Sequence, residues 1–330
     1  MKGLNKQFSI FCCILFVGFL LHSCVGMRNT PLKKQLIESN CNQQNIYSYR
    51  KIDLPIAIYP NQLDTLLSTK FSFKSLNVAN AIGIDEDIAK YVHQLDTYKL
   101  APSLDRRIEL IERLQKINQR VNVASLEISA VAAEMDCEEE RAAQIAVYLK
   151  RKEDEAETKF TVGSIIIGAV GAVTAGVLLA NGNDDNLPEI IGIGAGLAEA
   201  SLGLMILTNK RKVEFHHTRN ALKDIWEGQD SSTIFPAPVW YYLNYYDSNN
   251  VEQPSFRYQI IDRWMNFGQI SVAKRKRKRD LIDVYFGLGG KYTSEQLFNR
   301  ANMLDELEAY INLMKQDLKG LALELENLNQ

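Results

Sequence analysis

The chain predicts a mainly α fold, built on long helices with coiled-coil seams, a Gly/Ala-rich hydrophobic helical hairpin and a small mixed, aromatic-rich segment. Three observations carry this expectation. Apolar residues recur at three-four spacing from Leu110 to Leu149 and again from Leu304 to Leu328. Between these stretches lie two apolar runs, Thr161 to Ala180 and Ile190 to Thr208, joined through the polar turn Asn181-Gly182-Asn183-Asp184-Asp185-Asn186. Gly and Pro, the residues most costly to a helix interior, are absent from 103 to 162.

Residues 46–102 read as a small mixed segment. Ile52, Leu54, Ile56 and Ile58 alternate, and a period of two predicts one strand, ended by Pro60. Ile84, Ile88, Val92 and Leu95 predict a short helix with the acids Asp85 to Asp87 near its start, where the helix dipole favours negative charge. Residues 103–228 predict a long helical hairpin with its apolar tip at 161–208. Its first helix follows Pro102-Ser103 and carries Leu110, Leu114, Ile117, Val121, Ala124, Ile128, Val131, Met135, Ala142, Ile145 and Leu149. Seven residues per two turns bring all of these to one seam, the mark of a coiled coil or a long bundle helix. Val213 to Trp226 reads as further helix, ending at Gly228.

Residues 229–292 change character. Pro236, Pro238 and Pro254 interrupt them, and Trp240, Tyr241, Tyr242, Tyr245, Tyr246, Tyr258 and Trp264 crowd them. They end with six consecutive basic residues, Lys274, Arg275, Lys276, Arg277, Lys278 and Arg279, and with Gly287-Leu288-Gly289-Gly290-Lys291, which reads as a turn. Residues 293–330 form the C-terminal coiled-coil helix. Thr293-Ser294-Glu295-Gln296 has the form of a capping box, and Leu304, Leu307, Ile311, Met314, Leu318, Leu321, Leu325 and Leu328 make the second seam.

The hairpin is the candidate functional element. Ser164, Gly168, Ala172, Gly176 and Ala180 recur at every fourth position of the first run, and Gly192, Gly196 and Ala200 do so in the second. Stripes of small residues let two helix backbones approach closely, which is how helices associate in lipid. A run of about 20 residues rises roughly 30 Å, the depth of a hydrocarbon core. The pair resembles the glycine-zipper hairpins of several bacterial envelope lipoproteins, in pattern only. A buried hairpin inside a protein bundle is the competing expectation. Glu199 is the only charge from Ile190 to Thr208. A charged acid at bilayer depth costs about 2.5–3.5 kcal/mol, so Glu199 is expected to be protonated, paired across the hairpin, facing water or hydrogen-bonded in a bundle. Both outer ends of the hairpin carry Lys and Arg while its turn is acidic; the positive-inside rule would place those ends in the cytoplasm, which conflicts with an exported body.

Export is suggested at the other end of the chain. Lys2 and Lys6 precede an uncharged run from Phe8 to Leu21, which ends in Leu21-His22-Ser23-Cys24. An apolar run this short suits a signal peptide better than a spanning helix. The order of charge, apolar run and Cys resembles the lipobox signal of bacterial lipoproteins, with His22 an unusual occupant. The resemblance implies a signal peptide at 1–23, lipidation of Cys24, a tether at 24–45 and a place in the cell envelope. With Val25-Gly26 and no Asp after the Cys, it further implies the periplasmic face of the outer membrane. Cys41 and Cys137 would then lie in an oxidising compartment, which permits a bridge between them.

Little here suggests catalysis. Among His93, His216 and His217 no metalloprotease His-Glu-x-x-His occurs, and the glycines at 287–290 lack phosphate-loop spacing. No metal and no cofactor is expected. The net charge of -2 carries no excess that would point to nucleic acid. The basic run 274–279 suits either an anionic lipid surface or a solvated face. With the envelope location that the lipobox resemblance implies, the long helices and the lack of catalytic motifs suggest a non-enzymatic, membrane-anchored structural or assembly subunit of the envelope. The alternative is an α-helical pore-former that uses 161–208. Implied partners are membrane lipid, through Cys24 and the hairpin, and other copies or envelope proteins, through the seams.

Overall fold

The computed structural model describes residues 40–42, 46–60, 63–181, 186–246, 254–270 and 275–328, with backbone alone at 275–279. They belong to one unit, Ser39–Gln330. The segment 1–23 expected to be a signal peptide, Cys24, most of the expected tether at 24–45, residues 182–185 of the polar turn and Lys274 lie outside the described residues.

The fold is mainly α. In chain order it comprises α1 (Thr65–Lys70), α2 (Phe73–Ala81), α3 (Asp85–Leu100), α4 (Leu104–Ala180), α5 (Leu187–Thr208), β1 (Lys212–His216), α6 (Ala221–Glu227), α7 (Ala237–Asn244), α8 (Phe256–Asn266), α9 (Arg275–Phe286), β2 (Gly289–Thr293) and α10 (Ser294–Asn327). The dominant element is α4, 77 residues long, or about 115 Å at 1.5 Å per residue. Its start is fixed by Ser103, whose hydroxyl accepts from the Arg106 N–H at 3.4 Å. It then runs without a break from a packed half into an exposed apolar half.

The two predicted seams meet each other inside the chain. Ile117, Ala124, Ile128, Val131, Met135, Ala142, Ile145 and Leu149 of α4 are buried, as are Leu304, Leu307, Ile311, Met314, Leu318, Leu321 and Leu325 of α10, and the two helices pack along this face. Leu114 and Leu328 are half-buried at its margins. The capping box forms as expected: the Gln296 N–H donates to Thr293 Oγ1 at 3.2 Å, and the Thr293 N–H to Gln296 Oε1 at 2.9 Å. Helix α2 also packs on α10, and α3 packs on α4. Asp87 of α3 pairs there with Arg113 at 3.0 Å and Lys116 at 2.8 Å, and the Lys116 contact holds its carboxyl below the usual range. A disulfide joins Cys41 to Cys137, fastening the N-terminal segment to the packed half of α4.

Three local expectations are corrected. The alternation at Ile52, Leu54, Ile56 and Ile58 is no strand: Lys51–Asp53 is a 3-10 turn, and Ile52 and Ile56 are over 80 % exposed. Pro55 lacks an N–H to donate, and side chains take the carbonyls instead, with Asn80 Nδ2 donating to the Ile56 carbonyl at 2.8 Å and the Tyr245 hydroxyl to that of Ile58 at 2.9 Å. Helix does not begin at Val213. Residues 212–216 form β1, which pairs antiparallel with β2 from Lys212↔Thr293 to His216↔Gly289, so the glycine-rich turn becomes a strand. Gly289 has φ +96, and a side chain there would collide with the Phe215 carbonyl oxygen. The aromatic-rich segment combines the helices α7, α8 and α9 with loops and the strand β2. Trp240 and Trp264 are buried, and the Tyr241 and Tyr242 hydroxyls anchor α7 by donating to Asn77 Oδ1 at 2.8 Å and Asp317 Oδ2 at 2.6 Å. The basic run forms the start of α9 from Arg275 onward.

Candidate functional site: an exposed apolar hairpin

The second half of α4 and the whole of α5 form the predicted hairpin, packed on each other and on little else. Both helices are long and apolar enough to cross a membrane, and only 6 % of each apolar window is buried within the molecule. The core helix of a soluble bundle can be equally long and apolar but is mostly buried, and an apolar leader lies near the N-terminus. Neither description fits here. Thirteen large apolar side chains between Val162 and Leu207 are exposed, among them Ile165, Val170, Val173, Ile193 and Leu197 at 60 % or more.

The contact between the arms does not run along the two predicted stripes. A Cβ on Gly171 would collide with the Ala195 methyl, one on Gly168 would lie 3.3 Å from a Glu199 carboxylate oxygen, and one on Gly163 would lie 3.7 Å from Leu202. Gly171, Pro188 and Leu202 are the buried residues of the arms. Ala172, Gly176 and Ala180 are exposed, as are Gly192, Gly196 and Ala200, and Gly176, Gly192 and Gly196 face open space. Ser164 is half-buried, with its hydroxyl donating to the Thr161 carbonyl of its own helix at 2.9 Å. The reason is helical geometry. Four residues advance a 3.6-residue helix by about 400°, so each step of a strict four-spacing walks about 40° around the axis. Across five members it leaves the interface. The observed face steps by threes and fours, through Gly168, Gly171, Ala175 and Leu178 on one arm and Pro188, Ile191, Ala195, Ala198 and Leu202 on the other. Gly171, absent from the predicted stripe, is the point of closest approach.

Glu199 sits on this face midway along α5, with its carboxylate over Gly168. It is exposed, and none of the ion pairs among the described residues involves it. The base of the hairpin is closed by Glu153. One carboxylate oxygen accepts the Arg211 backbone N–H at 2.8 Å, and the other accepts the Ser294 hydroxyl at 2.9 Å. One acid therefore joins the outgoing helix, the returning chain and the first turn of α10.

Below the base the two-stranded sheet covers a buried polar cluster that no local sequence pattern discloses. The Tyr292 hydroxyl donates to the Val284 carbonyl at 2.6 Å, so the Nε2–H of His217 donates to the Tyr292 oxygen at 2.9 Å. Burial, aided by the Arg300 charge, lowers His217 to about 2 and keeps it neutral. Burial likewise pushes Tyr292 up to about 12. Arg300 is fully buried and donates to Asn220 Oδ1 and to the Tyr285 carbonyl at 3.1–3.3 Å. The guanidinium of Arg141 lies over the Phe215 ring at 4.1 Å. These groups fasten β1 and β2 to α4 and α10. Among the described residues no cluster of three His, Cys, Asp or Glu could hold a metal. Of the basic run, Lys274 and the side chains of Arg275 to Arg279 lie outside the described residues.

No family model, curated protein or solved structure matches this chain.

Proposed function

We propose that this chain is a non-enzymatic lipoprotein of the bacterial cell envelope, a structural or assembly subunit held by lipid on Cys24 and seated in a bilayer by the hairpin at 161–208. The exposed apolar surface of the two arms carries this reading. Moving thirteen half-exposed aliphatic side chains out of water gains roughly 1 kcal/mol each, on the order of 10 kcal/mol together. That exceeds the roughly 2.5–3.5 kcal/mol cost of one acid at bilayer depth, so Glu199 does not forbid insertion. The disulfide between Cys41 and Cys137 supports an oxidising compartment and hence export. Reach supports a single membrane for both attachments. From Cys137 to Thr161, α4 rises about 36 Å, and a tether from Cys24 to Cys41 extends to at most about 60 Å.

The alternative is a pore-former. Its support is the set of open glycine positions, Gly176, Gly192 and Gly196, which leaves small-residue surface for helix contact between inserted copies. Flotation with phosphatidylcholine vesicles, using purified protein that begins at residue 25 and so carries neither the lipid nor the apolar run Phe8 to Leu21, tests the hairpin alone. The protein should float, and Val173→Asp with Ile193→Asp should abolish flotation. A wild-type hairpin that stays with the soluble fraction contradicts the proposal. Release of a trapped dye in the same vesicles would favour the pore-former over the scaffold.

A further inference from the structure

We propose that entry of the hairpin into lipid is proton-linked through Glu199, so that the arms insert more readily as pH falls. The inference rests on the reading of 161–208 as a membrane hairpin and adds its regulation. Glu199 lies nine residues before Thr208, the end of α5, about 14 Å along the axis and near mid-depth of a span. Its carboxylate leans across the inter-arm face into the notch left by Gly168, with one oxygen 3.3 Å from where a Cβ would stand. Among the described residues no ion pair involves it. The element packed along α5 is the apolar half of α4, which carries no charged or titratable residue from Thr161 to Ala180, and the nearest on its own helix is Glu189. The cations that flank the two arms in sequence, Lys159 before the first and Lys210 after the second, stand at the base of the hairpin.

In water the site tolerates the carboxylate, because Glu199 is exposed. In hydrocarbon an unpaired charge is strongly disfavoured and the neutral acid is the form that enters. Inserting the arms then takes up one proton from solution, which forms the O–H bond of the neutral carboxyl group. Acid shifts the balance toward the inserted state by mass action. A glutamine at this position has the same shape without the charge and needs no proton.

The test places a tryptophan in the arm by Ala172→Trp, at an exposed position away from the inter-arm contact, in the full chain. Its quenching by phosphatidylcholine brominated in the acyl chains is read at about pH 5 and about pH 8, both above the ordinary carboxylate range in water. Uncharged vesicles keep lipid titration out of the result. Wild type should be quenched at least about tenfold more readily at the lower pH. Glu199→Gln should insert at both pH values as wild type does at the lower one, and Glu199→Asp should keep the dependence. If Glu199→Gln retains the wild-type profile, or wild type inserts equally at both pH values, the proton link is overturned while the membrane hairpin stands. If neither protein is quenched at any pH, the membrane reading itself fails and the proton link with it.

Discussion

Gly171 and Gly196 are both glycines within apolar helices, and the structure gives them opposite tolerances. A side chain at Gly171 meets Ala195 across the hairpin, whereas one at Gly196 meets nothing within 4 Å. Gly171→Leu should therefore splay the arms, costing about 1–3 kcal/mol as overpacking does. Gly196→Ala should strengthen the helix by about 1 kcal/mol through propensity alone. A cysteine cross-link between Ala175 and Ile191 measures the difference: it should be lost in the first variant and kept in the second. His217 makes a separate prediction at this scale. Folded, it stays neutral down to about 2, whereas an unfolded histidine takes up its proton near 6.5. The unfolded state thus binds more protons between these values, so the contribution of His217 is complete above about 6.5 and is lost progressively as pH falls toward 2. Denaturant titrations at about pH 7 and about pH 4 should show a larger acid loss in wild type than in His217→Gln. An equal loss would place the acid sensitivity elsewhere.

The elements differ in how much of them local sequence could disclose. Helices α3, α4 and α10 were legible because their apolar faces repeat over several turns and their starts are marked, α3 by the acids Asp85 to Asp87, α4 by Ser103 and α10 by Thr293 with Gln296. The two arms were legible as arms, because length and apolarity are local properties. Their contact face was not, since regular four-spacing and a packed antiparallel face diverge by about 40° per step. Strands β1 and β2 escaped notice because Val213 and Phe215 find their partners at residues 289–293, far along the chain. The extended stretch at 52–58 misled in the opposite sense, alternating without a strand to pair with. The disulfide was permitted by the composition but not fixed by it. It closes a separation of 96 residues, and loops of that size are stabilised by roughly 4–5 kcal/mol on a chain-entropy account. Cys137→Ser should lower the denaturation midpoint accordingly, with far-UV helicity unchanged below the transition. Leu321 is fully buried in the face shared by α4 and α10. Leu321→Asp should therefore unfold the packed body, and not merely dissociate copies of an intact one.

At the scale of the whole molecule, one helix serves two environments. Its first half is buried against α10, and its second half carries aliphatic side chains that the rest of the protein does not cover. Glu153 and the sheet mark the boundary between the two. Residues 1–23 and Cys24 lie outside the described residues, so the proposed lipidation is tested by mass spectrometry of the N-terminus of the protein from the cell, which should carry diacylglyceryl on Cys24. The central claim, that the exposed half belongs in a bilayer, is tested most directly by amide hydrogen exchange of the intact chain with and without phosphatidylcholine vesicles at about pH 5, where exposed helical amides exchange with water through local opening. The account predicts strong added protection at 161–180 and 187–208, with the packed half of α4 at 110–149 unchanged. Exchange in the two arms that is the same with and without vesicles would contradict it.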